Sequence, residues 1–158
     1  MGRPVRVREA RPPLPYGGRV DVAPDIAALR PGDRAAAVAL WESSGLTRPW
    51  NDPYLDFDRA LAGPSSTVLG TFADGDLAGT AMVGHDGHRG WVYYLAVTER
   101  LRGRGLGRAL MTACEAWVAE RGIPKLQLMV RSGNAGVVAF YERLGYIDGE
   151  VVVLGRFL

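Results

Sequence analysis

The chain has 158 residues, 47% apolar and 23% charged, enough for one domain with its own core and no need of disulfide or metal staples. A net charge of +2 is too small to argue for a nucleic-acid binder, and no apolar run approaches the roughly 20 residues that span a bilayer. The single cysteine, Cys114, excludes an internal disulfide and fits a reducing compartment, and Gly2 to Arg19 lacks a secretion signal's apolar core, so a cytoplasmic protein is expected.

Residues 1–20, "MGRPVRVREARPPLPYGGRV", are rich in arginine and proline without helical or strand period, and a disordered extension is expected there. A single folded domain is expected over residues 25–158. It opens with a short strand in "DIAALR" and a helix in "PGDRAAAVALWESSG", where Ala37, Leu40 and Trp41 fall at helical spacing and Gly45 is the stop. "DPYLDFDRALAG" reads as a second helix, capped by Asp52 with Pro53 at its first position. Two apolar runs in "STVLGTFADGDLAGTAMVGH" flank Asp74-Gly75, the signature of a hairpin. "GWVYYLAV", Gly90 to Val97, is β-branched and aromatic enough to be a buried strand.

A helix from about Leu106 to Arg121 comes next, with Leu106, Ala109, Leu110, Ala113 and Trp117 as its apolar stripe and Gly122 as its end. Cys114 is read as lying opposite the edge of that stripe, and no chemistry is read into it. "KLQLMV" then reads as a fifth strand, "NAGVVAFYERLG" as a fourth helix closed by Gly145, and "VVVLGRF" as a final strand. The order β-α-α-β-β-β-α-β-α-β indicates an α/β (α+β) domain, one sheet with helices on both faces.

Between the buried strand and the third helix stands "RGRGLGRAL", Arg102 to Leu110. A glycine-rich turn between a strand and a helix N-terminus is an anion site, because first-turn N–H groups have no intrahelical partner and the macrodipole is positive there. Arg100, Arg102, Arg104 and Arg108 add charge within nine residues. A Walker A loop would end Gly-Lys-Ser/Thr, whereas Arg108-Ala109 follows Gly107. A dinucleotide loop would read G-x-G-x-x-G with an acidic residue after the next strand, where Val130-Arg131 stands.

The pattern R-x-x-G-x-G, filled by Arg102, Gly105 and Gly107, resembles the pyrophosphate loop of the GNAT acetyltransferases. "RSGNAGVVAFYERLGY", Arg131 to Tyr146, is similar to the helix that starts near an asparagine and ends "FYE-x-LGF" in that family. The resemblance covers roughly residues 25–158, and "LTRPWNDP", "GHDGHRGWVYYLAV" and "VVVLGRFL" are similar to its bacterial YpeA-like branch. It implies the GNAT fold, a mixed, mostly antiparallel sheet splayed between the fourth and fifth strands. It also implies acetyl-CoA as cosubstrate, whose phosphates carry about four negative charges. Arg102, Gly103, Arg104, Gly105, Leu106, Gly107 and Arg108 would hold the phosphates, and main-chain groups of Leu95, Ala96 and Val97 would pair with the pantetheine arm. Asn134 would bond that arm or the acceptor amine. Asn134 and Tyr141 lie two helical turns apart on one face, and the resemblance makes the Tyr141 hydroxyl the acid for the departing thiolate.

Many relatives take the amine's proton with a glutamate on the fourth strand, but "GWVYYLAV" has no carboxylate. The base stays open between Tyr93 or Tyr94 acting through water and His88 on a folded-over loop. Trp50 is a candidate for the acceptor side, with Asn51 and Asp52 as a helix cap. His85, Asp86 and His88 are metal-ligand types, yet their Asp-Gly centre reads as a loop, so no metal is expected. The residues and the resemblance together indicate an N-acetyltransferase acting by direct attack on a primary amine in a ternary complex. A small-molecule acceptor is favoured over the protein amine that "LMVRSGN" suggests by its similarity to ribosomal-protein N-terminal acetyltransferases. The alternative is an acyl-CoA-binding module without turnover, against which Tyr141 argues. Nucleic acid and membrane partners are not expected. Relatives commonly form homodimers, though no segment here specifies an interface.

Overall fold

The computed structural model describes residues 23–158, so the expected N-terminal extension lies outside the described residues. Strand β1 is Ala27–Ala28, and a 3-10 turn at Pro31–Asp33 leads into helix α1, Arg34–Ser43. Ala37, Val38, Leu40 and Trp41 are the buried face of α1, the i, i+3, i+4 set that helical period demands. Helix α2, Pro53–Leu61, starts as the sequence requires: Asp52 Oδ1 accepts from the N–H groups of Tyr54 and Leu55 at 3.0 and 3.2 Å, and Pro53 needs no such partner. Its Phe57 is fully buried with its ring centroid 6.1 Å from that of Trp41.

Strands β2, Ser66–Ala73, and β3, Asp76–His85, form the expected hairpin. Asp74 and Gly75 both take positive φ, 55° and 87°, the geometry whose twist matches two antiparallel strands. β4 is Gly90–Val97 and β5 only Leu126–Leu128, shorter than the sequence suggests. The sheet order is β1-β2-β3-β4-β5, antiparallel throughout except for the parallel β4–β5 pair. This is the GNAT-like mixed sheet.

Helices cover both faces. On one side α1 and α2 pack with Val68 and Ala96; on the other, helices α3, Leu106–Ala119, and α4, Ala135–Glu142, pack with Val83 and Val92. The face of α3 is rotated from the stripe read in the sequence. Leu110, Met111, Cys114 and Val118 are buried, while Leu106, Ala109, Ala113 and Trp117 are half-buried. Cys114 is therefore a core residue, not one at the margin, and burial pushes its thiol up to about 12, which leaves it inert. The rotation reflects how closely α3 approaches the sheet: a Cβ on Gly90 would stand 2.7 Å from Val118 Cγ1, and one on Gly79 2.9 Å from Leu110 Cδ1. Trp117 is left at the rim under the guanidinium of Arg121, 3.5 Å from its ring centroid.

The expected final strand is not formed. Val151, Val152, Val153 and Leu154 are exposed and carry no regular structure. A β-branched run becomes a strand only where an edge supplies hydrogen-bond partners, and no strand among the described residues pairs with it.

Candidate active site

The fourth strand is where the fold departs from regularity. Thr80 faces Ala96 and Met82 faces Tyr93, so Tyr94 and Leu95 together oppose Ala81. This bulge inserts one residue and reverses the facing of the rest of the strand. Tyr94 turns to the α1–α2 side and Leu95 to the α3–α4 side. Tyr94 takes φ of 50°, an uncommon conformation for an aromatic residue.

Three contacts hold that strained residue. Its ring stacks on Trp41 with centroids 4.0 Å apart and planes at 14°. Thr80 Oγ1 donates to the Tyr94 carbonyl at 3.1 Å while accepting from Trp41 Nε1 at 2.9 Å. The Tyr94 hydroxyl donates to Asp56 Oδ2 at 2.8 Å. Burial, then the bond to Asp56 and its charge, push that hydroxyl far above its ordinary range, although a bond from Asn51 pulls the other way. It is a permanent donor.

β4 and β5 pair only through Gly90–Leu126, Trp91–Gln127 and Val92–Leu128. From Tyr93 to Val97 the strand has no partner on its β5 side among the described residues, so the sheet is splayed there. A groove of about 1020 Å³ lies at this gap. Trp50, Asn51 and Asp56 line it on one side, Tyr93, Tyr94 and Leu95 along β4, and Asn134, Val137 and Tyr141 from α4. Asn134 caps α4, its side-chain oxygen accepting from Val137 N at 3.4 Å. Burial first, and then Cys114, push the Tyr141 hydroxyl up to about 12.

The glycine stretch forms the other end. After a 3-10 turn at Glu99–Leu101, Arg102 Nε donates to the Val97 carbonyl at 3.1 Å and fastens the loop to the end of β4. Gly103 and Gly105 take φ of 74° and 85°, and none of the described residues lies within 4 Å of where a Cβ would stand. Gly105 caps α3 in the left-handed conformation, and no side chain of the described residues caps the first turn. Gly107 is different: a Cβ there would meet Phe140 Cζ at 3.2 Å, so this glycine lets α3 and α4 close on one another. Among the described residues, Arg102, Arg104 and Arg108 have no carboxylate within 4.0 Å, whereas Arg100 pairs with Asp74 at 3.4 Å.

The structure thus brings Trp50, Tyr93, Leu95, Asn134 and Tyr141 onto one groove, with Ala96 and Val97 continuing the unpaired strand and Arg102 to Arg108 beyond its end. His88 is exposed in the β3–β4 turn and does not line the groove. That turn is organised by Asp86. Its Oδ1 accepts from the N–H groups of Arg89 and His88, and its Oδ2 from Trp91 Nε1, which holds the carboxyl at about 2. Sequence reasoning missed Asp56 as a groove residue. Its signal, a carboxylate one turn after the Asp52 cap, marks a helix start and nothing more; its partner Tyr94 is 38 residues away.

A family model described as the acetyltransferase (GNAT) family matches residues 35–146. The acetyltransferase ECA0875 of Pectobacterium atrosepticum is 41% identical over 134 residues, covering 85% of this chain and 95% of that protein. Among solved structures, a ribosomal-protein-alanine N-acetyltransferase from Brucella melitensis aligns with TM-score 0.69 and 25% identity over 86% of this chain and all of that one, 100%. The structure of AAC(6')-Iy with a bisubstrate analogue, CoA-S-monomethyl-acetylneamine, aligns with TM-score 0.72 and 19% identity, covering 85% and 97% of the two chains.

Proposed function

This chain belongs to the acetyltransferase (GNAT) family, and on that premise we propose that it transfers the acetyl group of acetyl-CoA to a primary amine by direct attack in a ternary complex. The observation that carries the proposal is the separation of β4 from β5 after Val92, which opens an unpaired strand edge onto a groove bearing Tyr141. An extended pantetheine arm can pair with such an edge as an added strand does. The main-chain groups of Leu95, Ala96 and Val97 are its partners, and a main-chain N–H here also serves the oxyanion of the tetrahedral intermediate. The left-handed Gly103 and Gly105 leave the α3 N-terminus open to the diphosphate, and Arg102, Arg104 and Arg108 supply charge around it. Asn134, with its oxygen engaged in the α4 cap, has its amide N–H groups left to donate to the arm or the acceptor.

Tyr141 protonates the departing thiolate. Against a free thiol near 8.5, a phenol at about 12 makes the transfer uphill by roughly 5 kcal/mol. The burial that raises the phenol also disfavours the thiolate, so the difference narrows inside the site. Trp50 and Tyr93, 59% and 45% exposed, face the acceptor. A small-molecule amine suits an open groove with two exposed aromatic rings, and solved relatives include aminoglycoside acetyltransferases as well as one acting on a ribosomal protein's alanine. We place the protein in the cytoplasm and, on its "LTRPWNDP" and "GHDGHRGWVYYLAV" stretches, in the YpeA-like branch.

The test is calorimetric titration of the full chain with acetyl-CoA, repeated with Gly105→Asp. Micromolar binding to the parent and none to the variant is expected, because a carboxylate at the α3 N-terminus repels the diphosphate and a side chain strains the left-handed backbone. Equal binding to both removes the loop from the site. CoA release is then measured with neamine, glucosamine 6-phosphate and a short peptide beginning with alanine. The absence of any carboxylate on β4 favours one competing reading, an acyl-CoA-binding module, which predicts binding without release.

A further inference from the structure

We propose that Asp56 is the general base of this site and that Tyr94 is the residue that positions it; the inference rests on acetyl transfer being the reaction of the groove. Among the described residues, the carboxylates lining the groove are Asp56 and Asp86. Both oxygens of Asp86 are taken, Oδ1 by two backbone N–H groups and Oδ2 by Trp91. Asp56 has Oδ2 fixed by the Tyr94 hydroxyl at 2.8 Å, while no donor among the described residues reaches Oδ1. Nor does any guanidinium of the described residues come within 4.0 Å of it, although Arg48 and Arg59 line the same groove. Arg48 is occupied with the Gly45 and Thr47 carbonyls, 2.9 and 2.6 Å away. Asp56 is thus a half-buried carboxylate that lines the groove, with one oxygen anchored and the other free among the described residues.

The bulge explains why it stands where the chemistry is. Tyr94 and Leu95 are consecutive but point to opposite faces, so the residue whose main chain borders the thioester is bonded directly to the one whose hydroxyl holds Asp56. Tyr94 does not itself titrate in this role. Its proton stays on oxygen and directs Oδ1 at the amine.

Asp56 accepts one proton from the substrate ammonium and passes it to solvent. The freed nitrogen lone pair forms the N–C bond to the acetyl carbonyl carbon, and the C–S bond breaks. The Tyr141 proton goes to sulfur, and a second N–H proton leaves the nitrogen and returns through water to Tyr141. The products are the amide and CoA thiol, with one proton released overall. This supplies the base that β4 lacks.

The experiment uses the full chain and two acceptors: whichever of neamine, glucosamine 6-phosphate or the alanine peptide the parent acetylates, and hydroxylamine, whose nitrogen is already neutral at pH 7. For Asp56→Asn, kcat with the amine falls about 100-fold or more while the hydroxylamine rate falls less than about fivefold, the signature of lost proton removal. Acetyl-CoA affinity, read by titration, stays within about twofold, since Asp56 lies outside the phosphate and pantetheine contacts. Tyr94→Phe keeps the ring on Trp41 and loses about tenfold with the amine, again spared with hydroxylamine. Equal losses with both acceptors, or an amine rate unchanged in Asp56→Asn, overturn the assignment. If Asp56→Asn fails to fold, Tyr94→Phe decides it by the same two ratios. A parent chain that binds acetyl-CoA but acetylates nothing sinks the transfer reading and the base with it, a failure seen in the parent and not in the variant.

Discussion

The N-terminus of α3 and the wall formed by α2 and Tyr94 stand on opposite faces of one strand, and they are built from different materials. At α3 the surface proposed for the phosphates is left-handed glycines and a helix start without a side-chain cap, flanked by exposed arginines. At α2 every bond is made by a side chain, from Trp41 to Thr80 and on to the Tyr94 carbonyl, and separately from the Tyr94 hydroxyl to Asp56. Every bond of that second wall joins residues 14 to 39 positions apart. The glycine loop is assembled within a single turn of chain. A helix start favours an anion through groups that are adjacent in the chain, so a local motif suffices for the proposed phosphate site; the proposed proton transfer takes place at one atom and needs a carboxylate located by the whole fold.

Three substitutions separate the two sides further, taken from the largest effect down. Tyr141→Phe removes a single hydroxyl at the coenzyme side, and kcat is expected to fall about 100-fold with acetyl-CoA affinity unchanged by titration. Loss of binding in place of turnover would move Tyr141 from acid to structural contact. Thr80→Val attacks the acceptor wall from within. It leaves Trp41 Nε1 and the Tyr94 carbonyl buried without their partner, a cost of about 2 kcal/mol that thermal unfolding should read as roughly 4–8 °C in Tm. The amine KM should rise with it while acetyl-CoA binding stays, and a variant as stable as the parent would mean that the wall is held by stacking alone. Arg104→Ala is the mildest. One exposed guanidinium among several should weaken acetyl-CoA about threefold at low salt, a difference that disappears as salt is raised. A larger, salt-independent loss would show that Arg104 makes a buried contact.

The same contrast governs what could be read in advance. The Asp52 cap, the Asp74-Gly75 turn and the α3 start are each written in adjacent residues, and all form where the pattern puts them. The R-x-x-G-x-G loop and the Asn134–Tyr141 spacing likewise depend on one helix end and one helix face. The misreadings share the opposite property. "VVVLGRF" has strand composition but no partner, and Cys114 is placed in the core by how deeply Gly79 and Gly90 let α3 settle onto the sheet. Gly107 belongs to both groups: the motif predicts the residue, while the approach of Phe140 supplies a reason unrelated to phosphate.

By itself the sequence determined the order of elements as far as α4, the glycine-rich start of α3 and the family, because these rest on periods and motifs a few residues long. Tertiary structure alone decided the bulge that turns Tyr94 and Leu95 apart and the meeting of Asp56 with Tyr94. Register between strands and contact between distant side chains are set by packing, by which residues can be buried together at close density, and no local pattern in the chain encodes that.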